Sequence, residues 1–257
     1  MKRRMISILI GGFIGYFYYY FVGCRTGACA ITSNPLISTI YGAVLLGLIV
    51  ELIHDTMMSK NQKKSLFDAI APVYALFYPM QKRRFKEVLD NIEESFDMGG
   101  VKTVLDVGCG TGALCSTLSQ RGFIVTGVDP AEEMLRIAAK KTRGDHITFI
   151  HASATEYLPF DDKAFDLSIA SYVAHGMDKE QRIKLYEQMS RVTKGKVIIY
   201  DYNKNRSLLT TIVEWLEKGD YFYFIKNAEA EMRLRFSDVK VIDVSARAAW
   251  YICTPNT

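Results

Sequence analysis

The run VLDVGCGTG, residues 104–112, limits what this chain can fold into more than any other stretch. An apolar β-type segment over 101–107 ends in an Asp-bearing glycine turn, and a helix is expected over 112–121. Gly108, Gly110 and Gly112 let the backbone turn sharply and let a ligand approach without interference from a Cβ. Further on, a second β-type run over 123–129 ends in Asp129, placed to grip both hydroxyls of a ribose. Strand, glycine turn, helix, strand and acid together read as a mononucleotide-type site at the carboxyl edge of a parallel sheet.

The pattern continues in the same style. Short β-type runs at 147–152, 165–171, 196–201, 239–244 and 247–252 alternate with helical runs at 131–142, 178–192, 207–218 and 225–232. Such alternation predicts an α/β, Rossmann-like, mostly parallel seven-stranded sheet with helices on both faces. The last two strands have almost nothing between them, which predicts an antiparallel pair at one edge.

The glycine turn alone does not choose its ligand, because Gly108, Gly110 and Ala113 also satisfy the dinucleotide fingerprint. Asp106 argues against NAD: a carboxylate two residues before the first glycine would repel a pyrophosphate. S-adenosylmethionine (SAM) has no phosphate and carries a sulfonium and an amino group, so the same acid helps to bind it. The segments VLDVGCGTG, GFIVTGVDPAEEMLRIA and LPFDDKAFDLSIAS resemble the SAM-binding core of class I, type-11-like methyltransferases. FDAIAPVYALFY at 67–78 is similar to the opening segment of ubiquinone/menaquinone C-methyltransferases. The resemblance implies that Gly108, Gly110, Gly112 and Asp106 line the cofactor's methionine part and that Asp129 binds its ribose. It also implies that Met134 packs near the adenine and that Tyr74 closes over the cofactor. Relatives commonly place an Asp where this chain has Ala154, so Ser153, Thr155 or a backbone group must replace that contact.

Composition is divided. Between Met5 and Ile53 the charged residues are Arg25 and Glu51, although the whole chain of 257 residues is 23% charged. The apolar runs 5–22 and 36–53 are each about 18 residues, a helical length of about 27 Å, close to a bilayer's hydrocarbon core. Gly11, Gly15, Gly42 and Gly47 suit close helix packing, and the cluster Tyr16–Phe21 suits a lipid–water interface. The expected domains are a two-helix transmembrane hairpin at 1–55, a linker at 56–64 and a SAM-dependent methyltransferase domain at 65–257. The hairpin segment also resembles a small two-span bacterial membrane family of unknown function. Lys2, Arg3, Arg4, Lys60, Lys63 and Lys64 flank its outer ends, which places both termini and the catalytic domain in the cytoplasm. The net charge of +4 is explained by these flanks, and no nucleic-acid partner is expected. A cleaved signal peptide is the competing reading, opposed by the length of the first run and by the second run that follows.

His175, just past the strand that ends at Ser171, is the candidate general base, against a reading as a packed loop histidine. Tyr172 is a candidate for pocket lining, and Asp201 is expected to be a structural cap. Cys109, Cys115 and Cys253 read as buried thiols. Cys24 and Cys29 fit a loop disulfide better than a zinc or thioredoxin site. The cluster Trp215–Phe224 reads as a packed lid or a surface for apolar substrate. The expected function is methyl transfer from SAM to a small or lipid-soluble acceptor near a membrane. The alternative is a membrane sensor or interaction protein that binds SAM without turnover. No metal is called for.

Overall fold

The computed structural model describes residues 2–22, 35–58, 66–92, 96–205 and 220–256. It divides into two compact units, Met1–Ala69 and Ile70–Thr257. Helices α1 (Lys2–Val22) and α2 (Pro35–Met58) belong to the first. The helix α3 (Leu66–Tyr74), a 3-10 turn at Ala75–Phe77 and the helix α4 (Tyr78–Ile92) follow. The expected domain start at 65 and the expected linker thus fall just before the division between units.

Seven strands form one sheet: β1 (Thr103–Val107), β2 (Ile124–Asp129), β3 (Ile147–His151), β4 (Phe165–Ser171), β5 (Thr193–Tyr202), β6 (Asp238–Ser245) and β7 (Ala248–Thr254). Their order is β3-β2-β1-β4-β5-β7-β6. The first five pair in parallel, and β7 runs antiparallel to both β5 and β6. The chain reverses its direction of travel across the sheet between β1 and β4. In an open α/β sheet that switch opens a crevice at the carboxyl ends of those strands, where ligands bind.

Alternation along the strands splits the core between the two faces. Leu105, Val107, Val197 and Ile199 face one side and pack with Leu185, Tyr186 and Met189 of α7 (Lys179–Val192). On that side they also meet Tyr221, Phe224 and Met232 of α8 (Tyr221–Arg233). Val104, Val125, Ile198 and Tyr200 face the other side, with Leu114 and Leu118 of α5 (Ala113–Ser119) and with Val88, Leu89 and Ile92 of α4. A third cluster joins α3 to α6 (Glu132–Lys141) through Ala71, Ala131, Met134 and Ile137.

Helix α8 begins four residues earlier than its apolar run suggested, because Tyr221 and Phe224 already belong to the buried stripe that continues through Ile225, Ala228 and Met232. A capping box, with Asp178 accepting from the Gln181 amide at 2.8 Å, fixes the start of α7. Cys109, Cys115 and Cys253 are free and buried, as expected. Cys24, Cys29, Trp215 and the helix expected over 207–218 lie outside the described residues.

In the first unit, the glycines meet as their spacing implied. A Cβ on Gly11 would strike the carbonyl oxygen of Gly42, and one on Gly42 would lie 2.8 Å from the Gly15 Cα. Outside this seam Leu9, Phe13, Ile14, Leu36 and Ile40 are exposed. Among the described residues, no helix is long and apolar enough to cross a membrane. The two expected spans therefore have no support from these residues.

Candidate cofactor and acceptor site

The crevice at the switch point is built first from backbone. The amides of Gly108 and Cys109 both donate to the Val128 carbonyl, at 2.8 and 3.0 Å, so the glycine turn is pinned to the neighbouring strand. Gly108 has φ +72°, and a Cβ there would come within 2.5 Å of Val173 Cγ2. Gly110 has φ +53° and open space where a Cβ would project. That space is a bare stretch of backbone a ligand can approach.

Two carboxylates face this turn. Asp129, at the end of β2, accepts the amides of Gly110 at 2.9 Å and Ala131 at 2.8 Å. Each carboxylate oxygen has two lone pairs, so a carboxylate at this place can accept from more than one donor at a time. Asp106 is 1% exposed; its Oδ2 accepts from the Cys115 thiol at 3.1 Å, and its Oδ1 has no hydrogen-bond partner. Burial away from water raises its pKa from 3.8 to about 7. A buried carboxyl oxygen without a donor is what a cationic ligand would satisfy, so the residues present fit SAM. They do not fit a pyrophosphate.

The rest of the resemblance-derived set lies on α3, on α6 and just after β3. Tyr74 ends α3 and is half-exposed, whereas Met134 is buried in the cluster between α3 and α6. Ala154 is buried beside Leu158, and its neighbours Ser153 and Thr155 join their hydroxyls at 2.8 Å.

Across the switch point, at the ends of β4 and β5, lies a second constellation. His175 Nδ1 is 2.8 Å from Asp201 Oδ1, and the His175 amide donates to Asp201 Oδ2 at 3.2 Å. The Tyr202 amide donates to Oδ1 at 2.8 Å, and the Asp201 side chain is fully buried. Facing a carboxylate, Nδ1 is the protonated nitrogen, which leaves the lone pair on Nε2. The rings of Tyr202, Tyr172 and Tyr221 stand 4.8, 6.4 and 6.5 Å from the imidazole. Tyr172 is held at φ +56°, a costly conformation for a bulky side chain. Burial pushes its phenol far above the usual tyrosine range.

Behind the histidine, one guanidinium connects its loop to α8. Arg182 is fully buried and donates to Glu231 through Nε at 2.8 Å and Nη2 at 2.9 Å. Its Nη1 donates to the Met177 carbonyl at 2.6 Å and to Asp220 at 3.1 Å.

Asp201 accepts two backbone amides, as the expected cap would, and in addition holds the His175 imidazole; the sequence does not single out Tyr202 or Tyr221 as neighbours of that ring. Strand register held the missing signal. Ser171 pairs with Tyr200, so the residues just after β4 must meet Asp201 and Tyr202.

A methyltransferase-domain family model matches residues 104–196. The ubiquinone biosynthesis O-methyltransferase of Coxiella burnetii is 30% identical over 168 residues, 61% of this chain and 71% of that protein. The chain belongs to the class I SAM-dependent methyltransferases. A malonyl-[acyl-carrier protein] O-methyltransferase of Buchnera aphidicola is 30% identical over 158 residues, 58% of this chain and 60% of that protein. Among solved structures, a Pyrococcus horikoshii protein aligns with the methyltransferase at a TM-score of 0.57 and 25% identity, covering 68% of this chain and 90% of that one. A SAM-dependent methyltransferase from Aquifex aeolicus shares the fold, with a TM-score of 0.51 at 19% identity over 65% of this chain and 89% of that one.

The raised Asp106 pKa gives the methyltransferase a pH signature. A cation prefers the ionised carboxyl, so SAM affinity is expected to climb up to about tenfold per unit below pH 7 and to level off above it. For the ligand-free protein the opposite trend in stability is expected. The folded state favours protonated Asp106, so that contribution to stability is complete below 3.8 and is lost as pH rises through about 7. Titration calorimetry across this range checks the binding limb, and Asp106→Asn should flatten it.

Proposed function

We propose that this methyltransferase transfers the methyl group to a hydroxyl on a small or lipid-soluble acceptor, and that its N-terminal helix pair holds it at a membrane. The observation behind the choice of a hydroxyl is the His175–Asp201 pair at 2.8 Å on the mouth of the crevice. A hydroxyl must lose its proton to attack, and an imidazole oriented by a buried carboxylate is suited to take it. Both named relatives above are O-methyltransferases, which favours the same acceptor atom.

In this reading Gly108, Gly110, Gly112 and Asp106 hold the methionine part of SAM, and Asp129 holds the ribose. Met134 and the backbone around Ala154 flank the adenine, and Tyr74 covers the cleft. Bound SAM supplies a methyl group already activated by the sulfonium. His175 accepts the acceptor's proton at Nε2, and Asp201 keeps the imidazole in the tautomer that can do so. Tyr172, Tyr202 and Tyr221 exclude water from that face.

The tether rests on the inside-out packing of α1 and α2, with glycines at the seam and large apolar side chains outside. The basic residues flanking the pair favour a cytoplasmic catalytic domain. A direct test incubates the full chain with methyl-labelled SAM and a membrane-lipid extract. Label is expected in an organic-phase product whose new bond is a methyl ether. Label only on water-soluble amines would overturn the hydroxyl and lipid-soluble assignments together.

A further inference from the structure

Between the helix pair and the sheet domain, the chain turns an apolar face outward. From Ile70 on, Ala71 and Tyr78 are buried, and the same stripe continues at Val88, Leu89 and Ile92. The opposite face of the same segment should be polar in a water-soluble protein. Instead it carries Val73, Leu76, Phe77 and Met80, with Leu76 76% and Met80 63% exposed. The spacing of three, one and three residues puts these four on one side of the helical path. Exposed cations follow at Arg83, Arg84 and Lys86, the first two also paired with Glu87, whereas Lys82 donates to Ser116 at 3.0 Å; in the sequence Lys60, Lys63 and Lys64 precede. The Arg83 side chain is 83% exposed.

An exposed apolar stripe bracketed by Lys and Arg is the chemistry of a helix that lies in the plane of a bilayer surface. The apolar side chains enter the acyl boundary while the cations meet anionic headgroups. We infer that Val73, Leu76, Phe77 and Met80, with Arg83, Arg84 and Lys86, form a docking surface for an anionic lipid bilayer. Because Ala71 of the same segment packs on Ala131 and Met134, beside Asp129, the surface borders the mouth of the cofactor crevice. A docked domain receives a lipid-soluble acceptor straight from the membrane. The inference extends the tether reading, since a tethered domain can equally float clear of the surface.

The test uses the full chain in vesicles, with Cys24 and Cys29 replaced by Ser. An environment-sensitive fluorophore is attached at Leu76→Cys, or as control at Ile124→Cys, which is exposed at the amino end of β2. Both positions are exposed, so neither substitution should disturb folding. With vesicles of phosphatidylcholine and phosphatidylglycerol, a blue shift and quenching by brominated acyl chains are expected at 76 and absent at 124. The double reversal Arg83→Glu/Arg84→Glu should weaken the quenching at 76 roughly tenfold or more on anionic vesicles, with little change on neutral ones. Vesicle-bound protein without quenching at 76 overturns the docking surface and leaves the tether standing. Equal quenching at both positions also overturns it. Protein that fails to sediment with vesicles overturns the tether and the docking surface alike.

Discussion

Replacing His175 with alanine is expected to lower methyl transfer about 10²- to 10⁴-fold and to leave SAM affinity nearly unchanged. The histidine sits across the switch point from the glycine turn, so its loss removes a proton acceptor without touching the cofactor's backbone cradle. Asp201→Asn should reproduce much of the loss. Asp201 takes three donors: the His175 imidazole, the His175 amide and the Tyr202 amide. A carboxamide offers one accepting oxygen and an NH2 that would face a donor, so the imidazole loses either its tautomer or its seat. Single-turnover rates with labelled SAM, measured beside calorimetric affinities, separate the two effects. Unchanged rates in both variants would reduce the pair to a structural contact and remove the argument for a deprotonated hydroxyl.

Asp129→Ala is expected to weaken SAM and S-adenosylhomocysteine roughly a hundredfold or more, since two charge-assisted hydrogen bonds are lost. The carboxylate also accepts the Gly110 and Ala131 amides, so alanine leaves two donors without their acceptor and loosens the turn itself. Asp129→Asn keeps an accepting oxygen and should fall between wild type and alanine. Thermal melts of the ligand-free variants distinguish a damaged turn from a lost ribose contact. Wild-type protein that binds NAD in place of SAM would contradict the reading of Asp106.

How far the sequence could be read depended on distance along the chain. Strands β1 and β2 and the site between them were legible because strand, turn and acid follow one another locally, within 103–129. Gly108 and Asp129 stand out by local chemistry, a glycine at positive φ in the turn and an acid that accepts the turn's amide. The acceptor side was not legible in the same way. Asp201 reads as a strand-end acid until β4 and β5 are set side by side, and Tyr221 reaches the histidine only because α8 packs across the sheet. The early start of α8 was missed for a related reason: Tyr221 and Phe224 earn their place through tertiary burial, not through local propensity. The outward stripe at 73–80 did not stand out in the sequence, where the resemblance drew attention to Tyr74 alone.

The clamp made by Arg182 has a consequence for how the active site changes shape. A guanidinium with no exposure cannot let go of one partner gradually, because each half-released state strands a charge away from water. The loop bearing His175 and the helix behind it are therefore seated together or unseated together. Packed interiors switch between discrete arrangements rather than deforming smoothly. If His175 is the base, as proposed, an acceptor that presses on α8 acts on it as an on–off signal, and recognition of the acceptor and readiness of the base become a single event.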